Sequence, residues 1–255
     1  MSLELILTSP WFLPALFFFV AFAYSSVGLG GGSSYTALMA IVGMSPLAIP
    51  MVSLSLNLMV TTISSYNFLR NGHGRIRLIL PFLVSSMPMA YLGGSLNIPV
   101  TVFYWVLLVS LLFVAARIYL WQSTSLRLNL NNPHKIIISL LAGSLLGLVA
   151  GIVGIGGGIY LVPLIIVLGL GSEKQAAACG AIFVWLNSLA GLASRIQHNA
   201  IDLTDYIPLI AAALIGGTAG SFFGSFRASP KVMEKILGII IILAIVLLMR
   251  KLVNF

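Results

Sequence analysis

The sequence predicts an all-α polytopic membrane protein built from two homologous repeats, and three observations carry that reading. Of 255 residues, 60% are hydrophobic and only 7% charged, against about a quarter charged in soluble domains. Water does not cover such a surface, so lipid must be the solvent. Strongly apolar runs recur along the whole chain, and a glycine motif occurs once near the start of each half.

The runs fall at roughly 11–43, 46–69, 78–96, 101–121, 136–170, 174–194, 206–226 and 233–253. A membrane span needs about 20 apolar residues. Six runs therefore read as single spans. The first and fifth are too long for one span and are broken in the middle by glycines, so each half reads as a Gly-interrupted helix hairpin followed by three spans. The 25 glycines and 11 prolines fit this class, since both residues are common in membrane helices. Ala21-Phe22-Ala23 mimics a signal cleavage site, but the only preceding charge is Glu4. A signal needs a positive n-region, so the segment reads as mature protein.

Val27-Gly28-Leu29-Gly30-Gly31-Gly32 returns as Val153-Gly154-Ile155-Gly156-Gly157-Gly158. Arg70 and His73 match Arg195 and His198 as Arg-x-x-His, and Gly94-Ser95 before Pro99 resembles Gly224-Ser225 before Pro230. Three matches in one order argue for duplication. The first repeat is 1–121, the polar stretch 122–134 is an extramembrane linker, and the second repeat is 135–255. If each broken run is a hairpin, each repeat has an odd number of crossings and the second is inverted. The distribution of Lys and Arg favours this arrangement slightly, the length of the broken runs favours it more, and inverted repeats are a common transporter solution.

A helix interrupted at membrane depth exposes N–H and C=O groups that cost several kcal/mol each in hydrocarbon, so this backbone must be buried or line a wet cavity. Glycine permits the turn and lets a ligand approach closely. The helix restarting near Ser33-Ser34-Tyr35 presents free N–H groups and the positive end of its dipole, which is an anion site. Gly156 to Tyr160 repeat the device. Small-residue packing between helices is the competing explanation, but three consecutive glycines are excessive for packing and poor for a helix.

Asn57 and Asn187 lie within spans and could each donate two hydrogen bonds to an anion; interhelical bonding serves equally well for each. Nearby Ser53, Ser55, Thr61, Thr62 and Ser188 read as interhelical bonding. Arg70/His73 and Arg195/His198 sit at span ends. Interfacial anchoring and orientation explain them best, with attraction or gating of an anion as the second reading.

The net charge of +8 comes from basic residues between apolar runs and reports orientation. No basic stripe with interleaved aromatics supports nucleic acid binding. The single Cys179 excludes a disulfide framework and a multi-cysteine metal site. Glu4, Glu173, Asp202, Asp205 and Glu234 all lie at run ends or in loops, which argues against an embedded cation site or carboxylate proton relay. No phosphate loop, zincin or nucleophile-elbow motif is present. No metal, no cofactor and no enzymatic chemistry are expected.

At these residues the chain resembles a known family. The glycine motif in each half, followed by a helix start at Ser45-Pro46 or Ser172-Glu173-Lys174-Gln175-Ala176, is similar to the TauE/SafE sulfite exporter family, a broad group of small permeases also called TSUP. The resemblance implies a multi-pass permease in the plasma (inner) membrane of a bacterium or archaeon. Its cargo would be a sulfur-containing anion such as sulfite or an organosulfonate, with export as the direction inherited from the family name. It implies substrate contact at Gly30, Gly31, Gly32, Ser33 and Ser34, and at Gly156, Gly157, Gly158 and Tyr160. Alternating access is the expected mechanism. An anion channel and a permease for another small organic anion are the alternatives. Expected partners are the lipid bilayer and the small anion, and a homodimer is an admissible assembly.

Overall fold

A computed structural model of the chain describes residues 11–26, 30–70, 75–120, 131–198, 204–224 and 230–253. His73, linker positions 122–130, and Gly28 and Leu29 of the first motif lie outside the described residues. The described residues form α1 (Phe12–Ser26), α2 (Gly32–Ile41), α3 (Ala48–Arg70), α4 (Ile76–Ser95), α5 (Val100–Leu120), α6 (Asn132–Val153), α7 (Gly158–Val167), α8 (Glu173–His198), α9 (Ile207–Gly224) and α10 (Pro230–Val253). A 3-10 turn at Thr204–Tyr206 precedes α9. Among the described residues five helices are long and apolar enough to cross a membrane, lying in α3, α4, α5, α6 and α8. Large apolar side chains on their outer faces, such as Val84, Val109, Leu141 and Leu145, are exposed. An apolar exterior at this density suits lipid rather than water. The chain is a multi-pass helical membrane protein.

Both long runs are interrupted at their glycines. The first restarts as the 10-residue α2 after Gly31, and the second as the 10-residue α7 after Gly157. The second break is a hairpin. The end of α6 lies against Arg195, near the C-terminus of α8. The chain then turns through Gly154–Gly157, so that Gly158 meets Val184 and Gly180, and Gly180 meets Val162. As α7 advances, it therefore runs back toward the N-terminus of α8.

Small residues set the closest packing. Gly143, Gly147 and Gly151 recur every fourth position on α6 and face Phe82, Ser86 and Ala90 of α4, backbone against backbone. Gly216 and Gly220 of α9 face the carbonyls of Phe18 and Phe22 of α1 in the same manner. In lipid no hydrophobic force drives helices together, so close backbone approach and the dispersion it allows must do so. Residue numbers rise together in both pairs, so α4 runs parallel to α6 and α1 to α9. In contrast α3 and α8 are antiparallel: Leu54 meets Gly191, and Trp185 Nε1 donates to Thr62 Oγ1 at 2.8 Å. α5 and α10 are also antiparallel, with Tyr119 against Gly238 and Tyr104 against Lys251.

A methyl carbon on Gly143 would fall 2.5 Å from the Phe82 carbonyl oxygen, and one on Gly147 would overlap the Ser86 backbone. Gly147→Val is therefore expected to destabilise the protein by about 1–3 kcal/mol or more. The check is the thermal midpoint in detergent, with the lipid-facing Leu145→Val as a variant expected to leave it unchanged.

Candidate functional site

The two short helices start without side-chain caps. The cap residue of α2 is Gly31, at φ 89° and ψ 0°, and that of α7 is Gly157, at φ 79° and ψ −8°. Both conformations are left-handed, where a Cβ is strained and glycine is not. The hydrogen-bond ladder of α2 opens with Ser34 and Tyr35 donating to the Gly31 carbonyl, and that of α7 with Tyr160 and Leu161 donating to Gly157. The N–H groups of Gly32 and Ser33, and of Gly158 and Ile159, fall ahead of these ladders.

Both starts open on one cleft. It is lined by Tyr24, Gly30, Gly31, Gly32, Ser33, Ile155, Gly158, Ile159 and Val184. Its free space for water centres is about 10 Å³, room for roughly one water molecule. One wall is polar: the Tyr24 hydroxyl pairs with Ser33 Oγ at 2.6 Å and accepts from Ser34 Oγ at 3.0 Å. The facing wall of Ile155, Ile159 and Val184 is apolar.

Asn57 ties the breaks together. Its Nδ2 donates to the Gly154 carbonyl at 3.1 Å, and Ser53 Oγ donates to the same oxygen at 2.8 Å. A methyl placed on Gly30 would lie 2.7 Å from Asn57 Oδ1, and one on Gly156 would lie 3.0 Å from Asn57 Nδ2. Val184 faces the same glycines from α8, 3.0 Å from the Gly30 position and 2.8 Å from the Gly156 position. An amide from α3 and an isopropyl group from α8 thus brace both breaks.

The negative ends of α2 and α6 meet basic side chains, while the starts of α2 and α7 have no side-chain cap. Lys251 Nζ donates to the Ala40 carbonyl in the last turn of α2 at 3.0 Å. Arg195 is 4% exposed. Its Nε and Nη2 donate to the Gly151 carbonyl at 3.2 and 2.9 Å, and Nη2 donates to the Ile152 carbonyl at 2.8 Å. These are orphan carbonyls in the last turn of α6, and a cation there also opposes the helix dipole. Among the described residues no carboxylate or basic side chain lines the cleft.

The structure therefore gathers Gly30, Gly31, Gly32, Ser33, Ser34, Asn57, Gly156, Gly157 and Gly158 about the two helix starts. Tyr160 lies beside them, but its hydroxyl donates to the Ser110 carbonyl in α5 at 2.9 Å. Asn187 Nδ2 donates to the Phe183 carbonyl of its own helix at 2.9 Å, and none of its hydrogen bonds among the described residues reaches a break. Arg70 is exposed at the end of α3, and His198 is exposed at the end of α8, where its Nδ1 pairs with the Ser194 carbonyl at 2.7 Å. Sequence reasoning passed over Tyr24 and Val184, and the cap formed by Arg195. Val184 carries no polar group, so nothing in the sequence marked it as a neighbour of the breaks.

An apolar bundle in which two helical runs break and restart with uncapped N-termini on one cleft has the build of a membrane transporter. The chain belongs to the TauE/SafE sulfite exporter family, whose family model matches residues 13–248. It is 35% identical over 239 residues to a protein of Sinorhizobium fredii (strain NBRC 101917 / NGR234) described as "Probable membrane transporter protein y4hK", covering 91% of this chain and 95% of that one. It is 29% identical over 97 residues to "Probable membrane transporter protein YunE" of Bacillus subtilis (strain 168), covering 38% of this chain and 35% of that one. No solved structure matches the chain.

Proposed function

We propose that this chain is a secondary transporter that carries a small sulfur-containing anion, sulfite or an organosulfonate, out of a prokaryotic cell across its plasma membrane. The observation that carries this reading is the single cleft onto which Gly32-Ser33 and Gly158-Ile159 both present uncapped helix starts. Two positive dipole ends and unladdered N–H groups suit an oxyanion. The substrate class and export direction come from the family's description.

Alternating access is the mechanism we assign. The halves are inverted repeats, a reading supported by the antiparallel course of α3 against α8 and α5 against α10, the helices that correspond between halves. The narrow cleft, with room for about one water, suits a state that widens when one half rocks against the other.

Flux of sulfite or methanesulfonate in proteoliposomes is expected to saturate with anion concentration. Asn57→Ala is expected to cut that flux about tenfold, since the loss of one buried hydrogen bond is of order 1 kcal/mol and disturbs both breaks. Large unsaturated currents in planar bilayers would identify a channel instead. Absence of any anion-dependent flux would end the proposal.

A further inference from the structure

We infer that the cleft selects its anion by charge state, accepting the singly charged form of an oxyanion and rejecting the doubly charged form. This inference rests on the proposed site, and three observations carry it.

The first is the nature of the donors. Everything the cleft offers an anion is neutral: the N–H groups at the two helix starts and the hydroxyls of Tyr24 and Ser33. Lys251 caps the far end of the 10-residue α2, about 15 Å from its start at 1.5 Å per residue. Arg195 is engaged with the α6 carbonyls. Arg117 of α5 is within electrostatic reach of Tyr24 but is not among the residues that line the cleft. Each helix start is worth roughly half a positive charge. Two of them balance about one negative charge. A second charge, pressed against Ile155, Ile159 and Val184, has no counterpart, and burying an unpaired charge is strongly unfavourable.

The second observation is an unsatisfied acceptor. Asn57 is 0% exposed and its Oδ1 has no hydrogen-bond partner among the described residues. The orientation of this amide follows from its other bond, since a carbonyl at Gly154 only accepts and so must face Nδ2. Oδ1 is thereby turned toward Gly30, in the cleft wall. A lone acceptor behind that wall adds no donor that could balance a second negative charge.

The third concerns the third phenol at the breaks. The Tyr35 hydroxyl is also buried and without a partner among the described residues, and its ring lies over Gly31. The titratable groups at the site or on the elements around it are Tyr24 of α1, Tyr35 of α2, Tyr160 of α7, Arg117 of α5 and Lys251 of α10, with Arg195 and Cys179 farther along α8. None of the residue types among them that carry charge, or that touch the cleft, ordinarily titrates between about pH 5.5 and 8.5. A pH dependence of binding then belongs to the ligand.

The test compares two probes of the same tetrahedral shape on the purified full-length protein, at about pH 5.5 and about pH 8.5. Methanesulfonate stays singly charged throughout, while methylphosphonate loses its second proton between these values. Dissociation constants by calorimetry are expected to agree within about twofold for methanesulfonate, and to weaken at least about tenfold for methylphosphonate at the higher pH. Equal or tighter binding of the phosphonate dianion would overturn the inference while leaving the anion site standing. A matching loss for methanesulfonate would assign the effect to a protein group and overturn it too. If neither probe binds at either pH, the anion site itself fails, and the inference with it.

Discussion

Gly32→Ala is expected to abolish anion flux and to lower the thermal midpoint sharply, although it adds a single methyl group. That carbon would sit 2.5 Å from Asn57 Nδ2, 2.6 Å from the Ile155 carbonyl oxygen and 2.9 Å from the Gly154 carbonyl oxygen. Two of the three obstacles are backbone, which cannot rotate aside, so the two breaks must separate. Overpacking of this kind costs about 1–3 kcal/mol or more. Separation also strips the Gly154 carbonyl of its bonds from Asn57 and Ser53, and an unsatisfied buried acceptor costs a further 1–3 kcal/mol or so. Gly180→Ala is the matching comparison. Its methyl would meet Val162 Cγ2 at 2.7 Å, the end of a side chain that can shift, and alanine favours the helix. That variant is expected to keep most of its flux and its midpoint. Initial flux in proteoliposomes and thermal unfolding in detergent read both variants. Wild-type behaviour in Gly32→Ala would mean that the two breaks do not pack against each other.

The positions of the two breaks were legible because a run of glycines inside an apolar stretch has few other uses. The Cβ-free backbone at Gly31, Gly154, Gly156 and Gly157 does adopt left-handed φ values there. The partners around the breaks were harder to read, since each belongs to a distant part of the chain. Tyr24 looks like any aromatic in an apolar run, and only the fold brings its hydroxyl to Ser33 and Ser34. Asn187 drew notice by sharing a residue type with Asn57, but it is Val184, three positions earlier on α8, that faces Gly30 and Gly156. A valine carries no chemical signal in a membrane span. Tyr160 lies on the restarted helix as expected, yet its hydroxyl turns to Ser110, 50 positions away in the chain. The stripe Gly143, Gly147, Gly151 was open to reading at its spacing of four, although which helix it faces is a property of the fold alone.

The two Arg-x-x-His motifs behave differently for a related reason. Arginine at a helix end reads as an interfacial anchor whenever its neighbours in space are unknown. Arg70 fits that description, being exposed at the end of α3. Arg195 does not, because α6 ends beside it and needs donors for its last carbonyls.

The contrast predicts a large split between the two residues. Arg195→Met is expected to destabilise the protein by about 3 kcal/mol or more. It leaves the carbonyls of Gly151 and Ile152 without the donors they now have, at about 1–3 kcal/mol for each buried acceptor left unsatisfied. It also removes the cation that opposes the α6 dipole, worth about 0.3–2 kcal/mol. Arg195→Lys is expected to restore only part of this loss, because an ammonium group is a point donor and lacks the planar fork that spans two carbonyls. Arg70→Met, at an exposed site, is expected to stay within about 0.5 kcal/mol of the parent. Thermal midpoints order the three variants. Anion affinity separates capping from direct contact: as a cap, Arg195 should lower the midpoint far more than it weakens binding in Arg195→Lys, where the charge survives. Loss of affinity without loss of stability in that variant would place the guanidinium in contact with the anion and overturn its assignment as the cap of α6.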